Sequence, residues 1–118
     1  MSNFQIAAGS TFAATTMVKQ GGLPFDLTGC RVLFVAKSNP SDPDGSAVAL
    51  LDNQGLGGVT VPAPTTGRAF INMAASSTYG LTVPQLYYEI WIHDTSGLEW
   101  RSEFGQIQLL ARILVQQP

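Results

Sequence analysis

The chain has 118 residues, of which 45% are hydrophobic and only 12% charged, and its formal net charge is −2. That length suits one domain and buries enough surface to fold without disulfides or metals. The composition argues against intrinsic disorder, which needs low hydrophobicity and high net charge. The cations Lys19, Lys37, Arg31, Arg68, Arg101 and Arg112 are scattered, so they make no basic stripe of the kind that tracks phosphates, and nucleic acid is not an expected partner.

In chain order, strand signals recur and helix signals are scarce. Phe4 to Ala8 and Thr11 to Lys19 are aromatic, aliphatic and Thr-rich runs separated by Gly9-Ser10. After Gln20-Gly21-Gly22, the stretch Leu23 to Gly29 holds too many breakers for a regular element. Within it, Asp26 and Thr28 suit local backbone hydrogen bonds, and Gly29 suits the positive φ that closes such a turn. Arg31 to Lys37 alternates, with Val32, Phe34 and Ala36 on one face and Leu33 and Val35 on the other. Both faces are apolar, which predicts an inner strand. Ser38 to Ser46, with Pro40, Pro43 and Gly45, reads as a solvent loop.

Ala47 to Leu51 is a short apolar strand, and Asp52-Asn53-Gln54-Gly55 turns out of it. Val59 to Val61 is a short peripheral strand stopped by Pro62 and Pro64. Arg68 to Met73 places Ala69, Ile71 and Met73 on one face. Ala74 to Tyr79 is the one short helical connector. Leu86 to His93, the turn Asp94-Thr95-Ser96-Gly97, and Leu98 to Phe104 form a hairpin. After Gly105, the period-two series Ile107, Leu109, Ala111, Ile113 and Val115 predicts a further strand. Seven to nine such strands in one domain over 1–118 predict an all-β, antiparallel β-sandwich. Phe34, Ile71, Tyr88, Ile90 and Leu109 are its expected core residues.

Chemistry is sparse. His93 adjoins Asp94, but neighbours on a strand point to opposite faces, which leaves the carboxylate badly placed to orient the imidazole for Ser96 or Ser102. Asp42-Pro43-Asp44-Gly45 starts like a calcium loop, yet its twelfth position is Asn53 where glutamate is needed. Gly55, Gly57 and Gly58 fit no phosphate-binding motif and read as turn glycines. Cys30 is alone and reads as a buried, inert thiol. No catalytic residue, cofactor or metal is expected, and the chain is read as not an enzyme. The aromatics Tyr87 and Trp91, with Trp100 across the hairpin, are the alternative: a partly exposed face for carbohydrate or protein.

No run reaches the roughly 18 apolar residues of a membrane span. Met1 to Gln5 lacks the basic-then-apolar run of a signal peptide. Phe4 to Val18 holds no charge and no proline, so its strands lack the usual guards against pairing with another chain.

The order Phe12 to Lys19, Gly21-Gly22, Pro24-Phe25-Asp26-Leu27-Thr28-Gly29, then Arg31 to Lys37, resembles the immunoglobulin-like domains of tailed-phage structural proteins. The N-terminal domain of baseplate upper proteins is one that it resembles. Gly67 to Met73, the connector with Thr78 and Leu81, and Tyr87-Tyr88-Glu89-Ile90-Trp91-Ile92 before an Asp and a Gly continue the likeness, which spans about residues 11 to 115. The resemblance implies a non-enzymatic structural subunit of a bacteriophage virion, in tail, baseplate or neck, made in the host cytoplasm. Its partners would be copies of itself and other virion proteins. Because baseplate upper proteins continue into long further domains, a stand-alone adaptor or decorating module is expected here. Residues 1–10 and 114–118 are expected as interface arms.

Overall fold

The computed structural model describes residues 2–7, 11–43, 46–74, 77 and 84–110. Among the described residues, ten strands run in the order β1 (Ser2–Ala7), β2 (Phe12–Met17), β3 (Lys19–Gln20), β4 (Leu23–Pro24), β5 (Arg31–Lys37), β6 (Ala49–Asp52), β7 (Val59–Thr60), β8 (Arg68–Met73), β9 (Gln85–His93) and β10 (Glu99–Leu110). A five-stranded sheet, β1-β10-β9-β5-β6, and a three-stranded sheet, β2-β8-β7, share one hydrophobic core, and β3-β4 is a small separate hairpin. The all-β sandwich expected from the sequence is what the chain forms.

Alternation places the core. Val32, Phe34 and Ala36 of β5, with Leu86, Tyr88, Ile90 and Ile92 of β9, are buried from one side. Phe12 of β2 and Ala69, Ile71 and Met73 of β8 are buried from the other. Phe34 lies at the centre, its ring 5.7 Å from Tyr88 and 6.2 Å from Phe12, both stacked. Phe4 of β1 closes the cluster edge-on to Phe12 at 5.2 Å. All five core residues named from the sequence are buried.

The Asp26 turn forms as expected. Asp26 Oδ1 accepts from the Thr28 amide at 3.0 Å and the Thr28 hydroxyl at 2.6 Å, and Gly29 has φ 75°. Cys30 follows it, buried and free, and burial pushes its thiol upward from the ordinary value, with the charge of Asp94 adding to the effect.

The structure departs from the sequence reading in several places. The sheets are not wholly antiparallel: β1 pairs with β10 in parallel, Ser2 to Ala7 running beside Gly105 to Leu110. A parallel pair needs a long connection, and here almost the whole chain lies between its strands. Breakers around Gly21-Gly22 do not prevent the two-residue strands β3 and β4 from pairing across that turn. A single 3-10 turn at Pro64–Thr66 follows β7, where only a stop was expected. Gly105 does not separate two strands. It lies buried within β10, opposite Tyr88. Of the expected connector Ala74 to Tyr79, only Ala74 and Ser77 are described, joined by a Ser77 amide to Ala74 carbonyl bond of 3.0 Å. The rest of that connector and residues 111–118, including the second expected arm, lie outside the described residues. Ser2 to Ala7, within the first expected arm, is tied to its own chain through β10.

Candidate functional site

Two surfaces distinguish this sandwich: the outer face of the five-stranded sheet and the open edge of β2.

On the outer face, β9 presents Tyr87, Glu89, Trp91 and His93 beside Arg31, Leu33, Val35 and Lys37 of β5, as alternation predicts. Glu89 is its electrostatic centre. Trp91 Nε1 donates to Glu89 Oε1 at 3.0 Å, and Arg101 donates to Oε2 at 2.7 Å. Partial burial pushes the Glu89 carboxyl up, but those two hydrogen bonds and the charges of Arg101 and Lys37 together hold it below its ordinary value. Arg101 also covers the Phe104 ring at 4.3 Å, a cation–π contact. A depression of about 180 Å³ opens between Val35, Lys37, Tyr87, Glu89, Arg101 and Phe104. Its charged groups are largely spent on one another.

Trp100 does not join this face. The register sets it opposite Ile92, an inward residue, and it packs edge-on against Phe25 at 5.4 Å. Arg101, not Trp100, is the cross-strand neighbour of Trp91. A platform of two tryptophans, which the alternative reading needed, is therefore not assembled. The reason is register, which the hairpin sequence alone did not fix.

His93 ends β9 with Nε2 3.6 Å from Glu99 Oε2. Asp94 Oδ1 instead holds the turn, accepting from the Ser96 amide and hydroxyl and the Leu98 amide. These bonds, the Ser96 hydroxyl first, lower the Asp94 carboxyl below its ordinary value. His93 and Asp94 are not arranged as a dyad. Of the acidic loop, Asp44 and Gly45 lie outside the described residues; the Asp42 carbonyl accepts from Lys37 Nζ at 2.6 Å. The Gly55 to Gly58 stretch belongs to a loop organised by Asp52, a residue the sequence reading assigned only to a turn. Asp52 is 2% exposed. Its Oδ2 accepts from Arg31 Nε at 2.6 Å, and its Oδ1 from the amides of Gln54 and Leu56, both at 2.9 Å. The Asp-x-x-Gly run after a strand, Asp52 to Gly55, is the signal from which such a carboxylate-centred loop could have been read.

The second surface is an edge. β2 ends the three-stranded sheet, paired to β8 on one side with no described strand on the other. Which of its groups face outward follows from β8. The Asn72 amide donates to the Gly58 carbonyl on the β7 side at 2.8 Å. Backbone direction alternates along a strand, so Asn72 and Phe70 bond toward β7, and Ala69, Ile71 and Met73 toward β2. Their partners Phe12, Ala14 and Thr16 use their backbone groups on β8. The N–H and C=O groups of Ala13, Thr15 and Met17 therefore point to the open side. The side chains of the same three residues are exposed on the sheet's outer face, beside Phe70, itself 41% exposed.

No family model matches this chain, and no curated protein matches it either.

Proposed function

We propose that this protein is a non-enzymatic structural subunit of a bacteriophage virion, in tail, baseplate or neck, acting through protein–protein interfaces. The observation that supports this reading best is the edge of β2, where three consecutive outward backbone pairs have neither charge nor proline to guard them. Monomeric sandwiches protect such edges with charge, proline or a covering segment. An unguarded edge is the surface on which strand addition works, through backbone bonds that need no special side chain. The low charge of the chain, 12%, fits a protein with much of its surface covered by neighbours.

The strand order supports an immunoglobulin-like reading of the sandwich. A sheet with β5, β9 and β10 at its heart and β6 added beside β5, facing β2-β8-β7, follows the arrangement of variable-type immunoglobulin domains. That agrees with the likeness to phage structural domains carried by Pro24 to Lys37 and Tyr87 to Ile92. The carbohydrate-binding alternative loses its main support with Trp100 turned inward.

Mass spectrometry of purified phage particles, produced with the encoding gene intact and deleted, tests the proposal. The chain is expected at a fixed stoichiometry in intact particles, and its deletion is expected to block or alter assembly. Normal infectious particles that never contain it would refute the role.

A further inference from the structure

We infer that the open edge of β2 takes the same edge of a second copy, antiparallel, about a two-fold axis through Thr15. The inference rests on the reading of β2 as an interface and names its partner. Three properties of the edge select a copy of itself.

The first is register. Directly opposed residues in an antiparallel pair share a face of the sheet. A two-fold through Thr15 sets Thr15 against Thr15 of the second copy, and Ala13 against Met17. Every residue in these pairs is one whose backbone groups point outward, so each pair exchanges both its bonds. A two-fold through Ala14 sets Ala13 against Thr15 but puts Met17 opposite Thr11, which lies outside β2. The Thr15 axis is the fuller match.

The second is steric and electrostatic. Ala13 and Thr15 are small, and Met17, 37% exposed, would lie against the methyl group of Ala13. The next position outward opposes Lys19 to Thr11, so no like charges meet across the axis. A self-paired edge duplicates every charge it has, and this one has none between Phe12 and Val18.

The third is continuity. Thr15 is in register with Phe70 on β8. Pairing would carry the row Phe70–Thr15 through the axis to its two-fold-related row, turning two three-stranded sheets into one of six strands. The exposed Phe70 rings would then lie on one continuous outer face.

The test is the mass of the purified full chain by light scattering over a concentration series, with two variants. The Thr15 amide points away from β8, so Thr15→Pro removes an interface donor without breaking a bond inside the fold; Thr15→Lys sets two like charges together at the axis. The parent is expected as a dimer at the upper concentrations and both variants as monomers, with circular dichroism and monomer melting close to the parent. In addition, Thr15→Cys is expected to form a disulfide-linked dimer on mild oxidation, because hydrogen-bonded antiparallel partners have Cα atoms about 5.5 Å apart, within disulfide reach. Thr60→Cys, on the edge strand β7 of the same sheet, serves as the control and is expected to remain monomeric. A parent that is monomeric at every concentration, or a dimer that survives Thr15→Lys, overturns the inference. Either result leaves the virion role to be decided separately by the particle composition.

Discussion

The phenol of Tyr88 donates to Glu103 Oε2 at 2.6 Å, and this pair depends on an irregularity in β10. The register of β10 against β9 slips between Arg101 and Glu103, leaving Ser102 as the extra residue. Without that bulge, Glu103 would follow the alternation of Arg101 onto the outer face. With it, Glu103 stands opposite the inward Ile90, and its Oε1 accepts from the Thr16 hydroxyl of the other sheet at 2.7 Å. Bulges re-aim side chains in this way. Here the result is a carboxylate that links β9, β10 and β2.

Tyr88→Phe removes one donor from that carboxylate while keeping the ring. Hydrogen bonds to charged groups are worth about 1.5–3 kcal/mol, and a loss in that range is expected by denaturant unfolding. Thr16→Val is expected to cost a similar amount, and the double variant less than the sum, because both donors serve one acceptor. Strict additivity would show that Glu103 does not couple them.

Phe34→Ala is expected to cost about 3–5 kcal/mol, the usual range for emptying a buried aromatic site. Phe34 stacks on both Phe12 and Tyr88, so neither neighbour alone refills the space. A variant melting with the parent would mean that β5 turns its other face inward.

Gly67→Ala tests the contact between the end of the 3-10 turn and the backbone of Val18 and Phe25. Gly67 has φ 73°, and an added Cβ would meet the Val18 carbonyl oxygen at 2.6 Å and the Phe25 backbone at 3.1 Å. Left-handed strain alone is about 1–2 kcal/mol, and the clash with rigid backbone adds to it. Gly55→Ala, where a Cβ meets nothing within 4 Å, is the control and is expected to change stability little.

Acid sensitivity is expected to centre on Asp52. Burial pushes its carboxyl upward, but the Arg31 hydrogen bond, the Gln54 and Leu56 amides and the Arg31 charge outweigh that and leave it below the ordinary value of 3.8. A folded-state value below the unfolded one means stabilisation that is complete above the unfolded value. It is lost as pH falls from about 3.8 through the folded value. Asp52→Asn is expected to be less stable than the parent at neutral pH and to show a shallower decline as pH falls below about 4. An unchanged acid limb would exclude Asp52 as its source.

What the sequence made legible follows from period-two alternation. β5 and β8 run over the expected residues, and β9 starts one residue early, because each of these strands has one continuous apolar face. The outward set Tyr87, Glu89, Trp91 and His93 was legible for the same reason. Trp100 was not, since its face depends on which residue of β9 it opposes. Gly105 read as a break because glycine usually is one, whereas here it sits inside a strand opposite the large Tyr88 ring. The parallel pairing of β1 with β10 joins residues at opposite ends of the chain, and no local pattern encodes it. The unguarded character of Phe4 to Val18 was visible in the sequence, but its direction was not. The Asn72 to Gly58 and Val18 to Gly67 bonds show that Ala13, Thr15 and Met17 are the residues whose backbone groups face outward.

Residue-resolved amide hydrogen exchange along β2 tests most directly the claim that this edge is the working interface. In the dilute chain, the amides of Ala13, Thr15 and Met17 are expected to exchange rapidly, while those of Ala14 and Thr16, bonded to β8, are protected. On assembly, by concentration or in the particle, all three outward amides are expected to become protected together. Rapid exchange at Ala13, Thr15 and Met17 in the assembled state would contradict the account.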